Sequence, residues 1–169
     1  MDGTTGFAPW LRWVIQVLPA DGSTLALALD AAPLGQRCTI RNRRGVIRGS
    51  AIPVAWNVVP APVNGAWRPQ WEGRFAHLQG GPPADWTVIV RADRGVSARW
   101  LFRPSTALGW HPCLRITRQG PDRPAGATDE QPLSTVVRKG GSAWRGAVTG
   151  CKTRARPVDG PVLARWDAP

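Results

Sequence analysis

The chain has no tyrosine, only two histidines (His77 and His111) and only three cysteines (Cys38, Cys113 and Cys151) in 169 residues. Three cysteines are an odd number, and they stand far apart with none of the paired spacings of a zinc ligand set. That speaks against a disulfide framework and against a zinc site, and leaves three reduced, structural thiols. The two histidines add no ligand cluster. Acidic residues are scarce as well, 11 against 22 basic ones, and only two of the basic residues, Lys139 and Lys152, are lysines. Long apolar runs are missing: no segment approaches the ~18–20 residues of a membrane span. Asp2 and Arg12 occupy places where a signal peptide would be positive and apolar respectively.

What remains is a strongly basic chain of single-domain size, with a net charge of +11 and a pI near 11.5. Arginine, which forks bidentately onto phosphate, supplies nearly all of that charge. The balance points to a polyanionic partner, most often nucleic acid; the competing explanation is the arginine usage of a GC-rich genome. Residues 1–90 hold 8 basic and 5 acidic residues, and residues 91–169 hold 14 and 6. The C-terminal half is therefore the better candidate for a phosphate-facing surface.

The chain is organised around Thr24–Ala32, where Leu25, Leu27 and Leu29 alternate with Ala26 and Ala28 and the run closes on Asp30. Both faces are apolar, as in a central strand covered on both sides. Asp21-Gly22 before it and Pro33 after it hold it to strand length. A carboxylate at the tip of a buried strand is costly unless its charge is compensated.

In chain order, Phe7, Trp10, Leu11, Val14 and Leu18 have helical spacing and predict an amphipathic helix over Phe7–Leu18. After the Leu-Ala strand come Cys38-Thr39-Ile40, an arginine-rich run at 41–45 that is poorly written for a strand, and an extended piece at Ala51–Val59. These three predict an antiparallel meander in which Pro53 marks an edge. Trp67, Trp71, Phe75 and Leu78 predict a crossover helix within Ala66–Leu78. Thr87–Val90 is a second buried strand, Ser97–Leu108 a helix and His111–Thr117 a further strand. Gln119–Gln131 reads as a loop or linker. Ser134–Val137, Trp144–Thr149 and Pro161–Trp166 are short candidate strands. The class that follows is α/β, a mixed sheet flanked by helices.

Both apolar strands end on an aspartate, Asp30 and Asp93. If the strands are neighbours, their tips lie roughly 5 Å apart. Two carboxylates so close stay ionised most readily around a divalent cation. All-oxygen ligation suits Mg²⁺ or Mn²⁺, the ions of in-line phosphoryl transfer. Each aspartate also has a plainer explanation. Asp93 could cap the following helix or make the Asp-Arg-Gly turn, and Asp30 could be a strand-end turn residue.

Four segments carry a family resemblance: Ala-Leu-Asp-Ala-Ala-Pro-Leu-Gly-Gln-Arg (28–37), Ile-Arg-Gly-Ser-Ala-Ile-Pro-Val-Ala-Trp (47–56), Trp-Thr-Val-Ile-Val-Arg-Ala-Asp-Arg-Gly (86–95) and Gly-Trp-His-Pro-Cys-Leu-Arg-Ile (109–116). Together with Leu-Ala-Arg-Trp-Asp (163–167), the chain resembles DDE transposases of bacterial insertion sequences, of the IS4-like type. The resemblance implies an RNase H-like core with a β-rich insertion after the fifth strand. It implies that Asp30 and Asp93 match the first two acids of an Asp-Asp-Glu triad that binds Mg²⁺ (or Mn²⁺) for DNA cleavage and strand transfer. It further implies DNA (transposon ends and target) as partner, a homodimer in a complete enzyme, no membrane, and a cytoplasmic, nucleoid-associated protein.

On that basis residues 1–20 are expected to be an N-terminal helix remnant, 21–117 a partial catalytic core, and 118–169 a linker and the start of the insertion. The third acid has no counterpart: Glu72 falls on the crossover helix and Glu130 in the linker. The core is therefore expected to be C-terminally incomplete, its metal weakly held and the chain inactive alone. Arg94, Arg138, Arg145, Arg154 and Arg156 are the candidate DNA-binding residues. The alternatives are a non-catalytic basic DNA-binding fragment and the product of a decayed reading frame.

Overall fold

In a computed structural model, the structure describes residues 6–18, 22–47, 49–60, 75–93, 99–115, 121–137, 141–150 and 158–165. The chain divides into two compact units, Met1–Arg115 and Ile116–Pro169.

The first unit opens with helix α1, Phe7–Val17. Pro9 is tolerated because the first-turn amides have no intrahelical acceptor in any case. The buried stripe is Phe7, Leu11, Val14 and Ile15, which corrects the expected one at two positions. Trp10 and Leu18 are exposed. Trp10 instead stacks on Trp13, with ring centroids 5.0 Å apart, and its indole Nε1 donates to the Pro53 carbonyl (2.9 Å).

Strands β1 (Thr24–Leu34), β2 (Cys38–Ile47) and β3 (Ser50–Pro60) form the expected antiparallel meander. Gly35 (φ 60°) and Gly49 (φ 79°) supply the left-handed backbone at its two turns. β4 (Thr87–Ala92) and β5 (His111–Leu114) then add in parallel, giving the order β3-β2-β1-β4-β5. This is an α/β unit with a mixed five-stranded sheet. β3 is an edge strand, as Pro53 requires. Helix α2, Arg99–Ala107, lies between β4 and β5 in the chain. Of the expected crossover helix, only the end from Phe75 falls within the described residues, and there Phe75 and Leu78 are buried. Gly81 lies close against α1: a Cβ on it would sit 2.9 Å from Leu11 Cδ2 and 3.0 Å from the Leu78 carbonyl oxygen.

Strand alternation sorts the sheet into two faces. Leu25, Leu27 and Leu29 on β1 are buried in register with Val88, Val90 and Ala92 on β4. They share one core with Phe7, Leu11, Val14, Ile15 and Leu101 of the helices. On β2 the same face is occupied by Arg41, Arg43, Gly45 and Ile47. Arg41 (1% exposed) and Arg43 (0%) are thus core residues, and the arginine run is a full strand. The hairpins on either side set its register, and a buried arginine has an aliphatic stem that an apolar core can accept. The expectation of a buried strand on both faces is corrected by Ala26, Ala28 and Ile89, which are only half-buried on the opposite face.

The second unit is a four-stranded antiparallel sheet in the order β7-β6-β8-β9. Its strands are β6 (Pro121–Pro124), β7 (Gln131–Pro132), β8 (Ala143–Gly150) and β9 (Val158–Arg165). β6 falls inside the stretch read as a linker. It becomes a strand by pairing with β8, a tertiary choice that local composition does not carry. Leu133–Thr135 is a 3₁₀ turn rather than the start of a strand, with the Thr135 hydroxyl donating to the Pro132 carbonyl (2.8 Å). β8 and β9 match their predicted positions, tied by the Thr149 hydroxyl donating to Asp159 (2.6 Å).

Candidate functional site

The ladder between β1 and β4 runs in parallel from Thr24↔Thr87 to Leu29↔Ala92. One residue further along each chain stand Asp30 and Asp93. Asp30, on β1, and Asp93, the first residue past the end of β4, thus each follow the last ladder pair, and a continued register would set their backbones about 5 Å apart. Alternation gives both the face opposite Leu29 and Ala92, and both are exposed. Loops at the C-terminal ends of parallel strands are where ligands of open α/β sheets bind.

Two details differ from expectation. Asp30 does not end its strand, because β1 continues to Leu34 while paired only to β2, with Asp30 opposite Asn42. The strand that stops is β4, at Ala92, one residue before Asp93. The carboxylate is also solvent-exposed, so the desolvation cost expected for a buried strand tip does not arise.

The register extends this row. The Arg115 backbone amide donates to the Ala92 carbonyl (3.0 Å), which sets Arg115 beside Asp93. The preceding row on the same face is Arg44, Ala28, Arg91 and Cys113, linked in that order across β2, β1, β4 and β5. Arg91 is exposed and Arg44 half-buried. Three guanidinium groups thus accompany two carboxylates at one end of the sheet. Arg91 was within reach of sequence reasoning, since it stands two before Asp93 and must share its face. Arg44 was not, because its place depends on the β1–β2 register.

Among the described residues, no group of three or more His, Cys, Asp or Glu side chains converges as a metal site. Two exposed carboxylates are oxygen donors that suit a hard cation such as Mg²⁺. That ion is commonly held by one or two carboxylates, waters and the phosphates of a substrate.

Of the arginines expected to bind DNA, Arg145 is exposed on β8, opposite Leu163 of β9; Arg94, Arg138, Arg154 and Arg156 lie outside the described residues, as does Glu72. Glu130 is exposed, in the turn before β7. Cys38 and Cys113 are free thiols, and Cys151 lies outside the described residues. No helix among the described residues is long and apolar enough to cross a membrane.

No family model and no curated protein sequence matches this chain. Among solved structures, the chain is similar to the Mos1 transposase catalytic domain determined with raltegravir and Mg, at 13% identity and a TM-score of 0.36, over 64% of this chain. The likeness spans 58% of that domain's chain, less than two thirds of its length.

Proposed function

We propose that this chain is a transposase-like protein that acts on DNA, with Asp30 and Asp93 as the metal-binding, catalytic carboxylates of an RNase H-like core. The observation that carries this reading is the parallel β1–β4 ladder, which brings the two acids, 63 positions apart in sequence, to the same end of the sheet. The order of elements supports it too: an antiparallel meander, two parallel strands, then a β-rich unit after the fifth. That is the arrangement implied by the resemblance to DDE transposases of the IS4-like type. On this reading Arg94, Arg138, Arg145, Arg154 and Arg156 hold the DNA backbone, and the protein is cytoplasmic and nucleoid-associated.

The carboxylates would hold Mg²⁺ or Mn²⁺ by oxygen ligation. When bound, such an ion supplies Lewis acidity at a phosphoryl oxygen and a water of lowered pKa. Asp30 and Asp93 would bind and orient the ion; Asp30 is held in the β1–β2 ladder, opposite Asn42.

The absence of a third acid near the pair among the described residues favours weak metal binding and binding of DNA without turnover by the chain alone. The test is a supercoiled-plasmid assay with the purified chain and Mg²⁺. The plasmid is expected to be bound, with affinity falling steeply as salt rises, and to stay unnicked. Nicking that disappears in Asp30→Asn would overturn the inactivity and keep the site. Salt-independent binding, or none, would overturn the DNA-directed reading.

A further inference from the structure

The row behind the acids is built like an anion cradle. Ala28 sits between Arg44 on β2 and Arg91 on β4 in direct register. The two arginines are therefore two strand spacings apart, roughly 10 Å at the backbone, on the face that bears Asp30 and Asp93. The arginine row lies one pleat repeat, about 7 Å, behind the acid row. Ala28 leaves the floor between them low, and Ala26 continues it. Among the described residues the Nε of Arg44 is shut from solvent with no hydrogen-bond partner. A guanidinium whose Nε is so placed would meet an anion through its two terminal nitrogens. Bidentate guanidinium groups match phosphate oxygens, and a pair at this separation can grip one strand at two points.

We propose that Arg44 and Arg91 are phosphate-binding residues that lay the backbone of a DNA strand across Ala28 and deliver it to Asp30 and Asp93. This rests on the DNA-directed reading above, but the contact itself needs no metal. Arg115, beside Asp93, completes a positive border around the acid pair.

The experiment is fluorescence anisotropy of a labelled DNA duplex with the full chain in EDTA, over a salt series, with thermal unfolding as a check on folding. Arg91→Ala, at an exposed position, is expected to weaken binding several-fold and lower the salt slope by about 1. Arg44→Ala is expected to do the same, while Arg44→Lys keeps the slope and loses part of the affinity.

Unchanged affinity and slope in folded Arg91→Ala would overturn the proposal, as would neutrality of both Arg44 variants. If Arg44→Ala fails to fold, Arg91→Ala and Arg44→Lys decide. Failure of the metal reading is distinct: it would appear as no metal binding by Asp30 and Asp93, with the arginine effects intact.

Discussion

Leu27→Ala is expected to lower the unfolding free energy of the first unit by about 3 kcal/mol, within the ~2–5 kcal/mol of buried leucine truncations. Leu27 is fully buried (0% exposed) on the central strand, paired to β2 at Gly45 and to β4 at Val90. Two terms add. The removed methyl groups lose their transfer free energy, and the space they leave is hard to close. β1 is pinned by ladders on both sides, and its β2 neighbour is a glycine with no side chain to fill the gap. Urea unfolding measures this. A change within about 0.5 kcal/mol, the range of an exposed substitution such as Leu163→Ala, would contradict the burial of the β1 core face.

Three residues along the same strand, Asp30→Asn is expected to have the opposite profile. The side chain is exposed, so stability should move by no more than about 0.5 kcal/mol. Affinity for Mn²⁺ should fall about a hundredfold, at least the loss produced by removing a group that merely supports a ligand. Asparagine keeps the shape and one oxygen and removes the charge that a hard cation needs. Asp93→Asn should behave alike. Titration of Mn²⁺ followed by electron paramagnetic resonance reads the free ion directly. Equal affinity in the unsubstituted chain and in both variants would remove these acids from any metal site. The contrast between Leu27 and Asp30 separates what the strand does for the fold from what it does for the site.

Much of this was legible in the residues. Alternation in Leu25–Leu29 and in Val88–Val90 marks buried strands, and Pro53 marks the edge, because those signals are local and carried by side-chain chemistry. The pairing of Asp30 with Asp93 was legible only on the condition that their strands are neighbours. That condition is met in the β1–β4 ladder, which no local signal encodes. Arg41 and Arg43 were hard to read because hairpin register, not residue type, puts them on the core face. For the same reason Arg44, their immediate neighbour, faces the acid row. Trp10 sits at helical spacing with the core stripe yet turns outward, where its indole finds the Pro53 carbonyl. β6 was missed because a four-residue segment with proline at both ends has almost no strand signal of its own.

The most direct test of the account is a double-mutant cycle in Mn²⁺ affinity on Asp30→Asn, Asp93→Asn and the double variant. Two carboxylates holding one ion act as a unit, so each single substitution should cost nearly as much as the pair, with strong non-additivity. Losses that simply add would contradict a shared site at the ends of β1 and β4, and no loss in any variant would contradict a site there at all.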